Sequence, residues 1–492
     1  MTFEEIVTLV MNIVWSPALV FLCLGAGLWF SFRTRFVQLR RIGLMVKLLL
    51  GGKSSKTGVS SFQAFSMALS GRIGTGNIAG VATAIAIGGP GAVFWMWIIA
   101  FLGAGTAYVE STLGQIYKEK VEGHYRGGPA YYIEKGLNVR WYAVIFAVVT
   151  VLALGILVPG IQSNAIVDSF QIAFGLNTAI TAAIVVVLLG LIIFGGVKRI
   201  ASFAQLVIPF MTIGYLVIVL IILIIDFRQI PGLFVLICKS AIGIGPALGG
   251  IVGSAVMMGV KRGIYSNEAG QGTGPHAAAA AEVSHPVKQG FVQTFSVYID
   301  TLFVCTATAF MILITGMYNV YDSSGEVIVQ GSEMMQGVVE KGGPIFTQMA
   351  IESIFPIFGK GFVAISLFFF AFTTIVSYYF QAETNMLYLL RGRNSKPWLN
   401  GLRITMMSAT FLTAINSMDM AWDLGDIGIG LMAWINIIAI LILQRPAIVA
   451  LKDYEKQLCS GVKEPEFDPD KLKIKGAELW EKTNGNAADS AT

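Results

Sequence analysis

The run Ser70-Gly71-Arg72-Ile73-Gly74-Thr75-Gly76-Asn77 combines groups that rarely meet inside an apolar stretch. Glycines 71, 74 and 76 each cost a helix interior about 1 kcal/mol relative to alanine. Arg72 adds a charge at membrane depth. Irregular backbone is tolerated there only where protein buries it or where it lines a cavity. An unwound stretch offers free carbonyls to a cation and free N–H groups to a carboxylate. Gly74, Thr75, Gly76 and Asn77 supply both to a zwitterionic amino acid. The half-helix that follows adds positive potential at its N-terminus, and glycine leaves room for a close approach. The competing reading is a glycine-rich packing face capped by Asn77.

Other polar residues stand out against the same apolar background. Gln162, in Pro159-Gly160-Ile161-Gln162-Ser163-Asn164, either faces the solute or bonds a neighbouring helix. Thr373 and Thr374 are adjacent hydroxyls deep in an aromatic span. They either contribute to the five or six oxygens a small hard cation needs or bond their own i−4 carbonyls. The intramembrane charges are Arg72, Glu110 and Asp300. Arg72 with a carboxylate would make an inner gate or a static pair, and Asp300 is its better match in depth. A second glycine break at Gly249 to Ser254 should oppose the first, although Gly243 and Gly245 compete for that role.

The elements that position these groups are helices in a bilayer. A hydrophobic content of 55%, a mean hydropathy of +0.71 and only 13% charged residues mark a polytopic membrane protein. A span needs about 20 apolar residues, and about eleven segments qualify. They begin with Val7 to Phe30, outside the repeat described below, and the broken segment Val59 to Ile87. Ala92 to Tyr117, Trp141 to Phe170, Ala179 to Phe194 and Ile200 to Ile225 follow. Pro246 to Val260, Gly290 to Met317, Gly361 to Leu390, Trp398 to Ile415 and Met420 to Leu443 complete the set. The basic residues Arg33 to Lys56, Lys118 and Lys120, Lys198 and Arg199, Lys261 and Arg262, and Arg391 to Lys396 then all fall on one side. That predicts an outside N-terminus and a cytoplasmic C-terminus. Val37 to Leu50 and Gly128 to Lys135 read as interfacial helices, Pro231 to Ala241 as a re-entrant or surface element, and Pro344 to Phe358 as an amphipathic cap.

Two broken spans five apart in order predict an inverted five-helix repeat. The units are 1–58 (extra helix and basic segment), 59–225 (first repeat), 226–245, 246–444 (second repeat) and 445–492 (polar cytoplasmic tail). The net charge of +5 is topological and points to no nucleic acid. Cysteines 23, 238, 305 and 459 show neither a disulfide framework nor a zinc spacing. His124, His276 and His285 fall in predicted loops, and neither HExxH nor GxSxG occurs, so an enzyme has little to work with. A channel would need a repeated filter or charged ring.

Four stretches resemble the alanine or glycine:cation symporter family. They are Gly88-Gly89-Pro90-Gly91-Ala92-Val93-Phe94-Trp95-Met96-Trp97, Gly71 to Gly80 (GRIGTGNIAG), Arg262 to Pro275 (RGIYSNEAGQGTGP), and Phe467-Asp468-Pro469 with Gly476. The resemblance implies a LeuT-type fold and sodium-coupled uptake of small amino acids by alternating access, with no cofactor beyond the coupling ion. It also implies that the span holding Thr373 and Thr374 faces the first break, so Ser70 and Ile73 would add main-chain oxygen to a sodium site. The chain departs from the family where Tyr378 replaces a tryptophan in a run like ILGWxYYGE. Tyr378 therefore reads as an altered pocket wall, which makes glutamine or another small polar amino acid plausible beside alanine and glycine. The alternative coupling ion is the proton, with Glu110 or Asp300 titrating.

Overall fold

Proline at a first helical turn and glycine in left-handed backbone set many of the helix limits in this chain. In a computed structural model the described residues are 2–480, apart from 52–53, 245–250, 323, 339–341 and 417. Seven helices among them are long and apolar enough to cross a membrane: Glu4–Arg33, Gly91–Ile116, Arg140–Phe174, Gly196–Ile225, Pro286–Thr315, Gly359–Leu389 and Trp422–Cys459. Gly76–Gly88 and Thr178–Ile193 are shorter apolar helices. The chain is thus a helical, polytopic membrane protein.

The helices sort into two packing groups. Gly91–Ile116 packs against Val252–Asn267, Gly274–Ala280 and Pro286–Val297, whereas Val158–Phe174 packs against Gly359–Leu389 and Lys396–Ala414. Ser61–Arg72 lies between them, touching Gly274–Ala280 on one side and Gly196–Ile225 and Gly359–Leu389 on the other. The N-terminal helix turns at Ser16-Pro17 and is pinned to the last long helix. Trp15 Nε1 donates to the Asp426 carbonyl (2.8 Å), and Trp434 Nε1 donates to the Val14 carbonyl (2.9 Å).

The first break lies where the glycines predict. Ser61–Arg72 is closed at its start by a capping box between Ser60 and Gln63. It stops at Ile73, whose backbone is extended (φ −76°, ψ 95°), and the chain resumes as a π-turn over Gly76–Gly80 and an α-helix over Val81–Gly88. Two further π-turns interrupt long helices at Ala153–Leu157 and Tyr298–Cys305. Such bulges re-aim side chains within a span.

Three expectations need correction. Of the second break expected at Gly249 to Ser254, Gly249 and Gly250 lie outside the described residues, as does the competing Gly245, whereas Gly253 and Ser254 stand within the helix Val252–Asn267. Among the described residues an interruption comes at residues 268–273, where Glu268 (φ 56°), Gly270 (φ 88°) and Gly272 (φ 82°) are left-handed, before the short helix Gly274–Ala280. The helix expected at the interface, Pro129–Leu137, has Pro129 to Ile133 buried, preceded by a hairpin pairing Glu119–Val121 with His124–Arg126. Its aromatic residues fill protein space instead of lying in headgroups. The expected polar tail is partly helix and partly docked chain: the last helix continues to Cys459, and Phe467 is buried between the rings of His285 and Trp480.

Candidate functional site

Every residue from Ser70 to Gly80 is buried, so the orphaned backbone groups of the first break must find partners inside the protein. Gly74 N donates to Asn77 Oδ1 (2.9 Å) and Thr75 N to Gln162 Oε1 (3.1 Å). Side-chain amide oxygens therefore occupy the two N–H groups that a carboxylate would take. Gln162 Nε2 in turn donates to the Tyr265 hydroxyl (3.4 Å), which joins the first break to the helix Val252–Asn267.

The carbonyl side of the break faces Thr374. Its hydroxyl lies 2.9 Å from the Ser70 carbonyl oxygen, 3.2 Å from that of Ile73 and 3.0 Å from that of Phe370, four residues back on its own helix. One hydroxyl proton can serve only one of these three acceptors, so oxygens from two distant helices converge with lone pairs to spare. Thr373 does not join them; its hydroxyl donates to the Phe370 carbonyl (3.0 Å). Gly74 is required by the approach, because a Cβ there would stand 2.5 Å from Thr374 Oγ1 and 3.0 Å from Gln162 Oε1.

The second break is built around Glu110. Its carboxylate accepts from Gly270 N (3.2 Å), Gly272 N (3.2 Å) and Asn436 Nδ2 (2.8 Å). Asn436 also donates to the Gly270 carbonyl (2.9 Å) and accepts from the Tyr132 hydroxyl. Gln271 Nε2 caps the Ile264 carbonyl (2.6 Å). The Glu268 carboxylate, fully buried, packs against Gly71 and is faced by the hydroxyls of Thr273 and Tyr378. Tyr378 thus stands at the wall between the two breaks.

The expected Arg72–Asp300 pair does not form. The Asp300 carboxylate is taken by Ser266 Oγ (2.9 Å), Thr301 Oγ1 (2.7 Å) and Asn77 Nδ2 (2.6 Å). The Arg72 guanidinium turns to Ser296 and to the Gln293 carbonyl (3.2 Å), with no ion pair among the described residues. Gln293, Ser296 and Asp300 share one helix face, and Arg72 meets the first two while Asn77 meets the third, so the expected partners are offset along the helix axis. Further ion pairs are Arg126 with Glu383 (2.6 Å), and Lys261 (2.7 Å) and Arg262 (3.2 Å), two cations on the one carboxylate of Asp426, with Arg262 packed beside Gly80.

Sequence reasoning missed Tyr265, Ser266, Glu268 and Asn436, and it gave Glu110 no structural role. The alternation Gly270-Gln271-Gly272-Thr273-Gly274 after a polar Ser266-Asn267-Glu268 was a legible signal for the second break, but the denser glycines upstream outweighed it.

The model of the sodium:alanine symporter family matches residues 1–469. The carrier protein YrbD of Bacillus subtilis (strain 168) is 59% identical over 470 residues, covering 96% of each chain. The sodium/proton-dependent alanine carrier protein of Bacillus sp. (strain PS3) is 52% identical over 438 residues, 89% of this chain and 97% of the relative. Among solved structures, a manganese transporter of Eremococcus coleocola superposes with a TM-score of 0.51 at 12% identity, over 87% of this chain and 94% of that one. At that identity the likeness concerns fold alone.

Proposed function

Because the chain belongs to the sodium:alanine symporter family, we propose that it is a secondary transporter that moves alanine or another small neutral amino acid into the cell with sodium. It is a transporter and not an enzyme, as its family is. The observation that carries the reading is the meeting of the Thr374 hydroxyl with the Ser70 and Ile73 carbonyls at the unwound point. Two carbonyls and a hydroxyl from two helices are neutral oxygen ligands of the kind a dehydrated monovalent cation requires, and their geometry survives only while both helices are in register. Thr373, turned to its own helix, is left out of this set.

The substrate carboxylate is assigned to the N–H groups of Gly74 and Thr75. Binding displaces the amide oxygens of Asn77 and Gln162, with Gly76 leaving room beside Tyr265 and Ser266. The released Gln162 oxygen becomes an acceptor for the substrate ammonium, and Tyr378 limits the side chain. Sodium and substrate thereby contact opposite sides of one break, the carbonyl end and the N–H end. Each pre-organises the segment the other needs, which is coupling without a moving part between them. One charge entering down the membrane potential releases about 2.3 kcal/mol per 100 mV. A factor of ten in concentration costs 1.4 kcal/mol, so a neutral solute can be concentrated well over tenfold.

On this reading the chain has about eleven spans in a LeuT-type arrangement, an extra helix followed by inverted repeats at 59–225 and 246–444. The N-terminus is outside and the C-terminus in the cytoplasm, by the placement of the basic residues. The likeness in fold to a solved transporter and the two interrupted helices support this. The test is alanine uptake by purified protein in proteoliposomes with a sodium gradient, against the same vesicles with choline in place of sodium. Uptake in both would remove sodium, and uptake in neither would remove alanine.

A further inference from the structure

The two breaks are sealed in. Residues 70–80 and 262–281 are buried throughout, so a solute reaches or leaves them only when packed elements part. One face of Gly359–Leu389 marks where. Thr374, Ser377, Gln381 and Asn385 recur on it at helical spacing. Ser377 Oγ donates to the Met67 carbonyl of Ser61–Arg72 (3.0 Å), and Asn385 Nδ2 meets His276 Nε2 of Gly274–Ala280 (2.8 Å). Gln381 reaches toward Gly71 and donates to Ser377 Oγ (3.4 Å). The buried Gln381 Oε1 and Asn385 Oδ1 have no hydrogen-bond partner among the described residues, although buried acceptors are nearly always satisfied. Unsatisfied acceptors along a polar stripe that starts at Thr374 are what a closed route for a cation and an ammonium group leaves behind.

A charged closure stands at the end of the stripe. Arg126 Nη2 donates to Glu383 Oε2 (2.6 Å) and Nη1 to Thr384 Oγ1 (2.8 Å), and the two ionic side chains are only 4% and 5% exposed. The Tyr379 hydroxyl donates to the other Glu383 oxygen (2.8 Å), and Arg403 Nη2 lies 3.5 Å from it. Arg126 ends the hairpin strand His124–Arg126, which packs on Gly274–Ala280. The next residue is fastened there too, since a Cβ on Gly127 would stand 2.7 Å from Ala279 Cβ and 2.9 Å from the Gly114 carbonyl oxygen. Glu383 belongs to the other packing group. The pair therefore crosses between the groups, at the end where Lys120 and Arg391 stand and which the basic residues assign to the cytoplasm. Removing one partner of a buried pair strands the other, but wetting both at once restores their hydration. Such a pair can hold the closed arrangement without forbidding the open one.

We propose that Arg126 of the hairpin and Glu383 form the latch on the cytoplasmic side, and that sodium and amino acid leave along the stripe from Thr374 to Asn385 once the two separate. This rests on the symport reading above. It gives the hairpin 119–126 a part in transport, the inner closure that Arg72 and Asp300 do not provide.

The experiment places reporter cysteines singly, Gln381→Cys on the stripe and Trp422→Cys beyond the first break, where Trp422 packs on Tyr265 (ring centroids 5.4 Å apart) and Arg262. The full chain, with the exposed Cys238 and Cys459 changed to serine, is labelled in detergent with a positively charged methanethiosulfonate. Arg126→Gln should speed labelling at 381 about tenfold and slow it at 422, because a shift toward the inward-open state depopulates the outward-open one. Arg126→Lys should return both rates toward the native values. An unchanged rate at 381 overturns the proposal, and so does a rise at both positions, which marks general loosening. If Arg126→Gln does not fold, Thr384→Val decides, because it removes only a neutral bond to Arg126. About a threefold rise at 381 with a fall at 422 is then expected, and no change overturns the latch. Alanine uptake is measured on the same native preparation in vesicles. Its absence refutes the symport reading, whereas labelling that ignores Arg126 in a protein that transports refutes the latch.

Discussion

The two interruptions in this molecule are held open by different means. At the first, neutral amides from Asn77 and Gln162 cover the free N–H groups, and one hydroxyl, that of Thr374, meets the free carbonyls. At the second, a buried carboxylate grips two backbone N–H groups of left-handed glycines. Neutral hydrogen bonds contribute about 0.5–1.5 kcal/mol net, and bonds to a charged group about 1.5–3. The first break is thus weakly satisfied, which on the proposed reading lets a solute exchange places with its partners. The second is firmly tied. One is suited to binding and the other to framing what binds, and substitutions should separate the two.

The largest effect is expected at the frame. Glu110→Ala leaves Gly270 N, Gly272 N and the Asn436 amide without their acceptor, at about 1–3 kcal/mol for each buried group. The protein should lose several degrees of melting temperature in detergent, or fail to fold, as followed by fluorescence-detected size exclusion. If Glu110→Ala melts like the native protein, the contrast between the breaks is lost. Next comes Gly74→Ala, whose methyl would displace the Thr374 hydroxyl and crowd Gln162. Uptake should fall about a hundredfold while the melting temperature moves less than in Glu110→Ala, because the groups disturbed make neutral hydrogen bonds.

Thr374→Ala removes one oxygen of the proposed cation site and keeps the backbone. The sodium concentration for half-maximal uptake should rise about tenfold, equivalent to 1.4 kcal/mol, and Thr374→Ser should restore it. An unchanged sodium dependence in the alanine variant would move the ion elsewhere. The smallest effect concerns the far end of the second half-helix, where Lys118 Nζ donates to the Ala281 carbonyl (3.0 Å) beneath the rings of Tyr125 and Trp480. Burial pushes this amine down to about 7, partly opposed by Glu282. Between pH 7 and the ordinary lysine range the unfolded chain binds more protons than the folded one, so stability should rise with pH across that window. Lys118→Met should flatten the rise in a melting series from pH 6.5 to 9; a native protein with no such slope would refute the assignment.

The sequence made one of these breaks far easier to read than the other. At the first, Gly71, Gly74 and Gly76 beside Arg72 sit in an apolar run, and nothing else explains them there. The one at 268–273 was passed over because the glycines upstream are denser than Gly270 and Gly272, and because its first left-handed residue, Glu268, is not a glycine. The approach of Thr374 to Ser70 and Ile73 joins residues some three hundred positions apart, and it came from a family resemblance because spacing along a chain carries no such distance. Counting depth likewise paired Arg72 with Asp300, but Arg72 meets Gln293 and Ser296 one to two turns earlier on the same face, an offset that residue counting does not resolve. The helical, membrane-spanning class followed from hydropathy alone, since a bilayer leaves few other ways to satisfy a backbone.

The docked C-terminal segment has a practical consequence. Phe467 N donates to the Ser284 carbonyl (3.1 Å), Lys288 meets Glu464, and Trp480 Nε1 reaches the Gln115 carbonyl (3.0 Å). Residues 464–480 are therefore a folded brace across one end of the helices and not a handle to be trimmed. An affinity tag or fluorescent reporter joined directly after Cys459 would strip this brace away. The resulting shortened carrier would have the aromatic faces of His285 and Tyr454 open to solvent.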